Sequence, residues 1–225
     1  MIYHIQITPF RTEPCRSEGD YNYRQGELVV IRSKEGIDYG KIIHIREHED
    51  VAIYGNIVRR LTADDMEGCK ELREYEEFCL IEFKRAVEEF KFAMKPVCAH
   101  CQFDGERIIF YFTAQKRLEF RKLHRYISQK LNKRVVIKQI GSRDYSKLFG
   151  GIGPCGRDLC CRTFLSELKS ISLRMARDQK LYVSPSKISG LCGRLLCCLN
   201  FEEDLYSDFS EQGEPLHIEE EKNPD

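Results

Sequence analysis

The chain has 225 residues, 42% hydrophobic and 32% charged, and its 36 basic and 36 acidic side chains cancel to a net charge of zero. That length buries a real core in one large or two small domains, and the composition excludes a disordered polymer. No apolar run approaches bilayer length, and the start, Met1-Ile2-Tyr3-His4-Ile5, lacks a signal peptide's basic flank and long apolar stretch, so a cytoplasmic protein without membrane insertion is expected.

Residues 1–62 alternate apolar and polar in short runs, Ile2 to Ile7, Glu27 to Arg32, Tyr39 to Arg46 and Val51 to Leu61, with Gly19, Gly26, Gly36 and Gly55 between them. This pattern predicts a small antiparallel sheet or partial barrel. Thr62, three residues before Asp65, caps a long helix that runs to Pro96. Its apolar stripe is Cys69, Leu72, Cys79, Phe83, Val87, Phe90 and Met94, which makes Cys69 and Cys79 packing residues.

Two apolar runs joined by Asp104-Gly105, Val97 to Phe103 and Glu106 to Thr113, predict a hairpin with a type I′ turn. Cys98 and Cys101 have the spacing of half a zinc site. In a regular strand, however, residues three apart point to opposite faces, so these thiols diverge and Cys101 shares a face with Val97, Ala99 and Phe103. A helix over Lys116 to Leu131 buries Phe120, Leu123, Ile127 and Leu131 and sets Arg117, Arg121 and Arg125 in one row, and a strand follows at Val135 to Ile140. Residues 63–150 thus form a long helix and a β-β-α-β layer, giving an α+β fold.

Local charge is uneven. Residues 106–150 carry twelve Lys/Arg against three Asp/Glu, and residues 202–225 carry ten acids against one Lys. The first segment is either a solvated face or a surface for phosphates or an acidic partner helix; the tail, residues 206–225, reads as solvated.

Residues 151–205 hold the strongest signal. Gly153-Pro154-Cys155-Gly156-Arg157-Asp158-Leu159-Cys160-Cys161 recurs as Gly190-Leu191-Cys192-Gly193-Arg194-Leu195-Leu196-Cys197-Cys198, with seven of nine positions identical and six of the eleven cysteines included. Core packing accounts for cysteines but not for a repeat. Between the copies a helix is expected over Ser166 to Gln179, a short strand over Leu181 to Val183 and a turn or cap at Ser184-Pro185-Ser186, which leaves a region of short helices and loops in which the two motifs approach each other.

A cytosolic compartment disfavours disulfides, and vicinal pairs such as Cys160-Cys161 close only through a strained ring, so the thiols point to metal or redox chemistry. Adjacent cysteines on a helical turn seldom ligate one metal atom together, and a four-thiolate centre with two or three ligands from each copy follows. Zinc sites usually use closer cysteine pairs, whereas four intervening residues resemble a ferredoxin spacing, so an iron-sulfur cluster is favoured and zinc is the alternative. Gly156 and Gly193 let the backbone turn N–H groups toward sulfur. Arg157 and Arg194 offset cluster charge or hold a phosphate or partner carboxylate at the rim. The six histidines make no ligand motif, and no phosphate loop, nucleophile elbow or dinucleotide fingerprint occurs, so no enzyme is predicted.

The runs Phe103-Asp104-Gly105, Phe110-Tyr111-Phe112-Thr113-Ala114, Gln139-Ile140-Gly141, Met175-Ala176-Arg177-Asp178-Gln179 and the two cysteine motifs together resemble the bacterial RicT family, also called YaaT, built on a C-terminal domain shared with a yeast suppressor of polymerase mutants. The resemblance covers about residues 25 to 205. It implies a regulatory subunit that assembles with two small helical partners, RicA and RicF, carries [4Fe-4S] clusters and an FAD, and assists ribonuclease Y in maturing messenger RNA, with effects on sporulation, competence and biofilm formation. It also implies that Cys155, Cys160, Cys161, Cys192 and Cys197 are cluster thiols, with Cys198 in the motif, while Cys98 and Cys101 depart from the family pattern.

Two other functions compete with this one. An RNA-binding module or weak nuclease would use Arg117, Arg121 and Arg125 with Lys116, Lys130 and Arg134, near Phe120 and Tyr126. A redox sensor would cycle the repeat thiols between cluster-bound and oxidised forms.

Overall fold

The structure is a computed structural model that describes residues 1–19, 21–47, 50–116, 118–165, 170–181 and 184–210, with side chains as far as 206. The chain divides into two compact units, Met1–Leu148 and Phe149–Asp225.

The first unit opens with five strands, β1 (Ile2–Thr8), β2 (Arg11–Ser17), β3 (Leu28–Ser33), β4 (Gly36–Arg46) and β5 (Gly55–Arg60). They close into a barrel in the order β1-β2-β5-β3-β4. The expected antiparallel sheet or partial barrel is thus a complete barrel, with one parallel pair, β2 with β5. Closure leaves no free edge, and inward residues Tyr3, Ile5, Cys15, Val29, Ile31, Ile42 and Ile57 fill the interior.

Helix α1 (Ala63–Glu89) starts at Thr62 as expected, in a reciprocal capping box with Asp65 that Arg59 joins by an ion pair. It ends before Pro96: Phe90 caps it and Lys91 turns left-handed at φ 53°. Pro96 lies instead in β6 (Lys95–Cys101), which pairs antiparallel with β7 (Arg107–Thr113). The connection is longer than a two-residue type I′ turn. Gly105 N–H donates to Gln102 O (2.8 Å), and the Asp104 carboxylate accepts from the backbone N–H of Glu106 (3.1 Å) and Ile37 (2.8 Å), which ties the loop to the barrel.

Helix α2 (Arg121–Leu131) crosses to β8 (Arg134–Gln139), parallel to β7, and completes a sheet of order β6-β7-β8. Phe83 and Val87 of α1 and Leu123 and Ile127 of α2 cover one face, against Ile108, Phe110 and Phe112. Helix α2 starts later than expected. Leu118 and Phe120 both pack on this core, an alternate-residue pattern that extended chain supplies and a helix does not. Arg121 and Arg125 lie exposed on α2, and Arg117 lies outside the described residues. Helix α3 (Ser142–Phe149) follows.

Two polar clusters lock the barrel to this layer. Glu35 accepts from Arg11 (3.0 Å), Arg107 (2.9 Å) and the Tyr54 hydroxyl (3.1 Å). Buried His100 on β6 meets Asp38 of β4 at 3.0 Å and Glu76 of α1 at 3.3 Å.

The second unit is built of short helices: α4 (Cys160–Thr163), α5 (Leu173–Asp178), α6 (Pro185–Ile188), α7 (Cys197–Phe201) and α8 (Glu203–Ser210). The helix expected over 166–179 is confined to α5 among the described residues, and residues 166–169, 182–183 and the tail from 211 lie outside them. The core is Met175, Ala176, Ile188 and Leu199. Gln179, 9% exposed, donates from Nε2 to Leu199 O (2.6 Å). Among the described residues, no helix is long and apolar enough to cross a membrane.

Candidate functional site: a paired cysteine centre

Each cysteine motif folds as the same tight loop. Gly156 N–H donates to Gly153 O (2.9 Å) and Gly153 N–H to Arg157 O (2.7 Å); in the second copy Gly193 donates to Gly190 O (2.9 Å) and Gly190 to Arg194 O (2.8 Å). That is a type I turn followed by a left-handed residue, and Gly156 and Gly193 supply it at φ 77° and 72°. Flanking bridges, Ile152 with Asp158 and Ser189 with Leu195, close each loop. Pro154 at the second turn position and glycine at the fourth are the sequence signal for this geometry.

Beyond the loop, Leu159 and Leu196 adopt matching extended conformations, at φ −56° and −57°, and start α4 and α7. Each arm therefore carries one thiol at its turn tip, Cys155 or Cys192. It carries two more on the first helical turn, Cys160 and Cys161 or Cys197 and Cys198. The glycine that opens each arm lies beside the tip sulfur: a Cβ at Gly153 would lie 3.4 Å from Cys155 Sγ, and one at Gly190 3.9 Å from Cys192 Sγ, both in ordinary van der Waals contact.

The arms meet. All six thiol residues line one largely apolar cavity of about 140 Å³. Every lining position of the second arm, Gly190, Cys192, Leu195, Leu196, Cys197 and Cys198, has its counterpart in the first, Gly153, Cys155, Asp158, Leu159, Cys160 and Cys161. Leu191 of the second loop sits on Gly151, where a Cβ would fall 2.5 Å from its Cδ2.

The six thiols are not equally open. Cys155 is exposed, Cys161 is buried, and Cys160, Cys192, Cys197 and Cys198 lie between. Burial pushes the Cys198 thiol up, and the Glu202 carboxylate and the nearby Cys160 and Cys155 add to it. Arg157 and Arg194 end the two loops in solvent. Among the described residues, no three His, Cys, Asp or Glu side chains converge tightly enough to hold a single metal ion. The donor set itself, soft sulfur around an apolar space, suits iron-sulfur or zinc chemistry.

Cys98 and Cys101 stay apart from this centre. Cys101 joins Cys79 and Ala99 in the core under α1, whereas Cys98 packs on the opposite face with Tyr111. Val97 shares the Cys98 side rather than that of Cys101, because the pairing with β7 slips between Pro96 and Cys98. Phe103 packs against Tyr39 instead. Burial pushes both thiols up to about 12, so they remain protonated.

The PSP1 C-terminal conserved region matches residues 55–140, and the third domain of PSP1-like proteins matches residues 170–213. The chain is 38% identical to the stage 0 sporulation protein YaaT of Bacillus subtilis (strain 168), over 85% of its own length and 71% of that relative's. It belongs to the YaaT (RicT) family. No solved structure matches it.

Proposed function

We propose that this chain is a non-enzymatic regulatory subunit that carries a [4Fe-4S] cluster on its paired arms and acts in the cytoplasm within a multiprotein complex. The reading rests on one observation: six thiols from two copies of one loop surround a single apolar cavity. A zinc ion needs four donors about 2.3 Å from one point. The four residues between the tip thiol and the first vicinal thiol of each arm instead resemble a ferredoxin spacing, which favours a polynuclear group.

Cys155, Cys160, Cys161, Cys192, Cys197 and Cys198 are the residues available to hold it. A bound cluster would supply a redox-responsive, anionic centre. The apolar lining limits water, and exposed Arg157 and Arg194 offset negative charge or meet a partner's carboxylate.

Kinship to a sporulation protein supports a developmental role. The expected partners are two small helical proteins of the RicA and RicF type and ribonuclease Y, with maturation of messenger RNA as the shared task. FAD enters through the family resemblance alone.

Anaerobically purified protein is expected to contain iron and acid-labile sulfide and to lose both in Cys155→Ser with Cys192→Ser. Stoichiometric zinc without sulfide overturns the cluster.

A second reading, direct RNA contact, is favoured by an open groove along α2 lined by Phe120, Arg121, His124 and Arg125. Affinity for single-stranded RNA that falls steeply with salt supports it. If Arg121→Ala with Arg125→Ala leaves RNA affinity unchanged, this surface belongs to a protein partner.

A further inference from the structure

Helix α1 buries one stripe and leaves the opposite one open. Cys79, Phe83, Ala86 and Val87 enter the core, whereas Glu74, Glu77, Phe78, Ile81, Lys84 and Arg85 are exposed. At 3.6 residues per turn these six fall within about 120° of the helix circumference, on the side away from the core. Phe78 and Ile81 are 52% and 50% exposed, and the Phe78 ring stacks on Tyr75 with centroids 6.2 Å apart, so an apolar patch occupies the middle of the stripe. Acids flank the patch on its N-terminal side, Glu74 and Glu77, and bases on its C-terminal side, Lys84 and Arg85.

The order is palindromic in charge. Turned end for end about a point between Cys79 and Leu80, the stripe sets Phe78 on Ile81, Glu74 on Arg85 and Glu77 on Lys84. A uniformly acidic or basic partner helix would meet one half of it with like charge. A second molecule of this chain, reversed, meets both halves with opposite charge.

We propose that this face is a two-fold interface with a second molecule of the same chain, α1 packed antiparallel on α1. A two-fold contact is self-complementary, so each pair occurs twice. Phe78 and Ile81 of both molecules form its middle, and the acid–base pairs form its rim. Parallel packing in register would instead oppose Glu74 to Glu74 and Lys84 to Lys84. Arg85 pairs with Glu82 of its own helix (2.7 Å), and Glu82 keeps Lys130 of α2 when Arg85 turns outward. Beyond the central turns Glu71 would face Glu88 of the second molecule, and crossing helices that diverge there avoid the repulsion. About three turns of helix bury a small area, so the dimer is reversible and depends on concentration. It uses none of the six motif cysteines and does not depend on the cluster.

Sedimentation equilibrium of the full-length protein in reductant, over a series of concentrations, tests this. The mass should rise from 26.4 kDa toward twice that value, alike with and without bound iron. Glu77→Lys alone and Lys84→Glu alone each bring like charges together twice and should weaken association by about tenfold or more. An equimolar mixture of the two variants should associate as the wild type does, because each chain then meets the opposite charge. The double variant, Glu77→Lys with Lys84→Glu, should recover as well, and Phe78→Ser with Ile81→Ser should abolish association. All four side chains are exposed, so circular dichroism should show every variant folded.

A mass of 26.4 kDa at every concentration overturns the proposal. So does a dimer that the single charge exchanges leave intact, or a mixture that associates no better than either variant alone. If the wild type stays monomeric and Phe78→Ser with Ile81→Ser abolishes binding of a small helical partner, the face belongs to that partner and the proposal falls.

Discussion

Phe164 and Phe201 pack edge to face, ring centroids 5.0 Å apart, and they are the same residue of the two arms, four places after Cys160 and Cys197. The contact pairs equivalent positions of the two copies. The lining of the cavity follows the same correspondence, so the two arms face each other through equivalent positions.

The aromatic pair should therefore couple the arms. Phe164→Ala and Phe201→Ala are each expected to speed amide exchange in both α4 and α7. A double-mutant cycle should return about 0.5–1.5 kcal/mol of interaction. Exchange that changes only in the mutated arm would show that the rings do not join them.

The loop glycines separate backbone strain from steric clash. A Cβ at Gly156 or Gly193 meets nothing within 4 Å, so either change to Ala costs only the left-handed conformation, about 1–2 kcal/mol. Gly151→Ala is strained as well but also drives a Cβ into Leu191. Thermal unfolding should rank Gly151→Ala as the most damaging of the three, with the other two alike.

His100 makes stability depend on pH. Burial alone would lower its pKa, but the hydrogen bonds it donates to the Asp38 and Glu76 carboxylates, and their charge, outweigh burial and raise it from 6.5 to about 9. The group is raised, so its stabilisation is complete below pH 6.5 and fades as pH climbs through 9. Urea unfolding should lose about 1–3 kcal/mol between pH 6.5 and pH 10, and His100→Asn should flatten this part of the profile.

Cys98 and Cys101 supply the control for the centre. They lie on opposite faces of β6 and titrate near 12. Cys98→Ala with Cys101→Ala is expected to leave iron and sulfide content unchanged. Loss of iron without loss of the folded state would assign them a second site.

What the sequence revealed depended on how locally each element is determined. The arms were legible because a tight turn needs particular residues at fixed offsets, Pro154 and Gly156 among them. Thr62 and Asp65 were legible for the same reason. Strand β2 was not: in Arg-Thr-Glu-Pro-Cys-Arg-Ser only Cys15 is buried, so no alternation announces it, and without β2 the barrel could not be seen to close. The end of α1 was misplaced because Phe90 and Met94 do pack on the core, but from a connecting segment rather than from the helix. That the two motifs approach each other was legible from their duplication and equivalent placement, whereas the one cavity their six thiols line is set by packing that the spacing does not specify.

The Gln179 amide that holds Leu199 O has a consequence for how ligand uptake should be observed. Helices α4 and α7 have four and five residues, too few to persist unaided, so their order is borrowed from contacts such as this one. A group gripped by both arms would repay that loan directly. Its binding free energy would emerge as resistance of the second unit to local opening, growing with ligand concentration, before any partner or RNA is present.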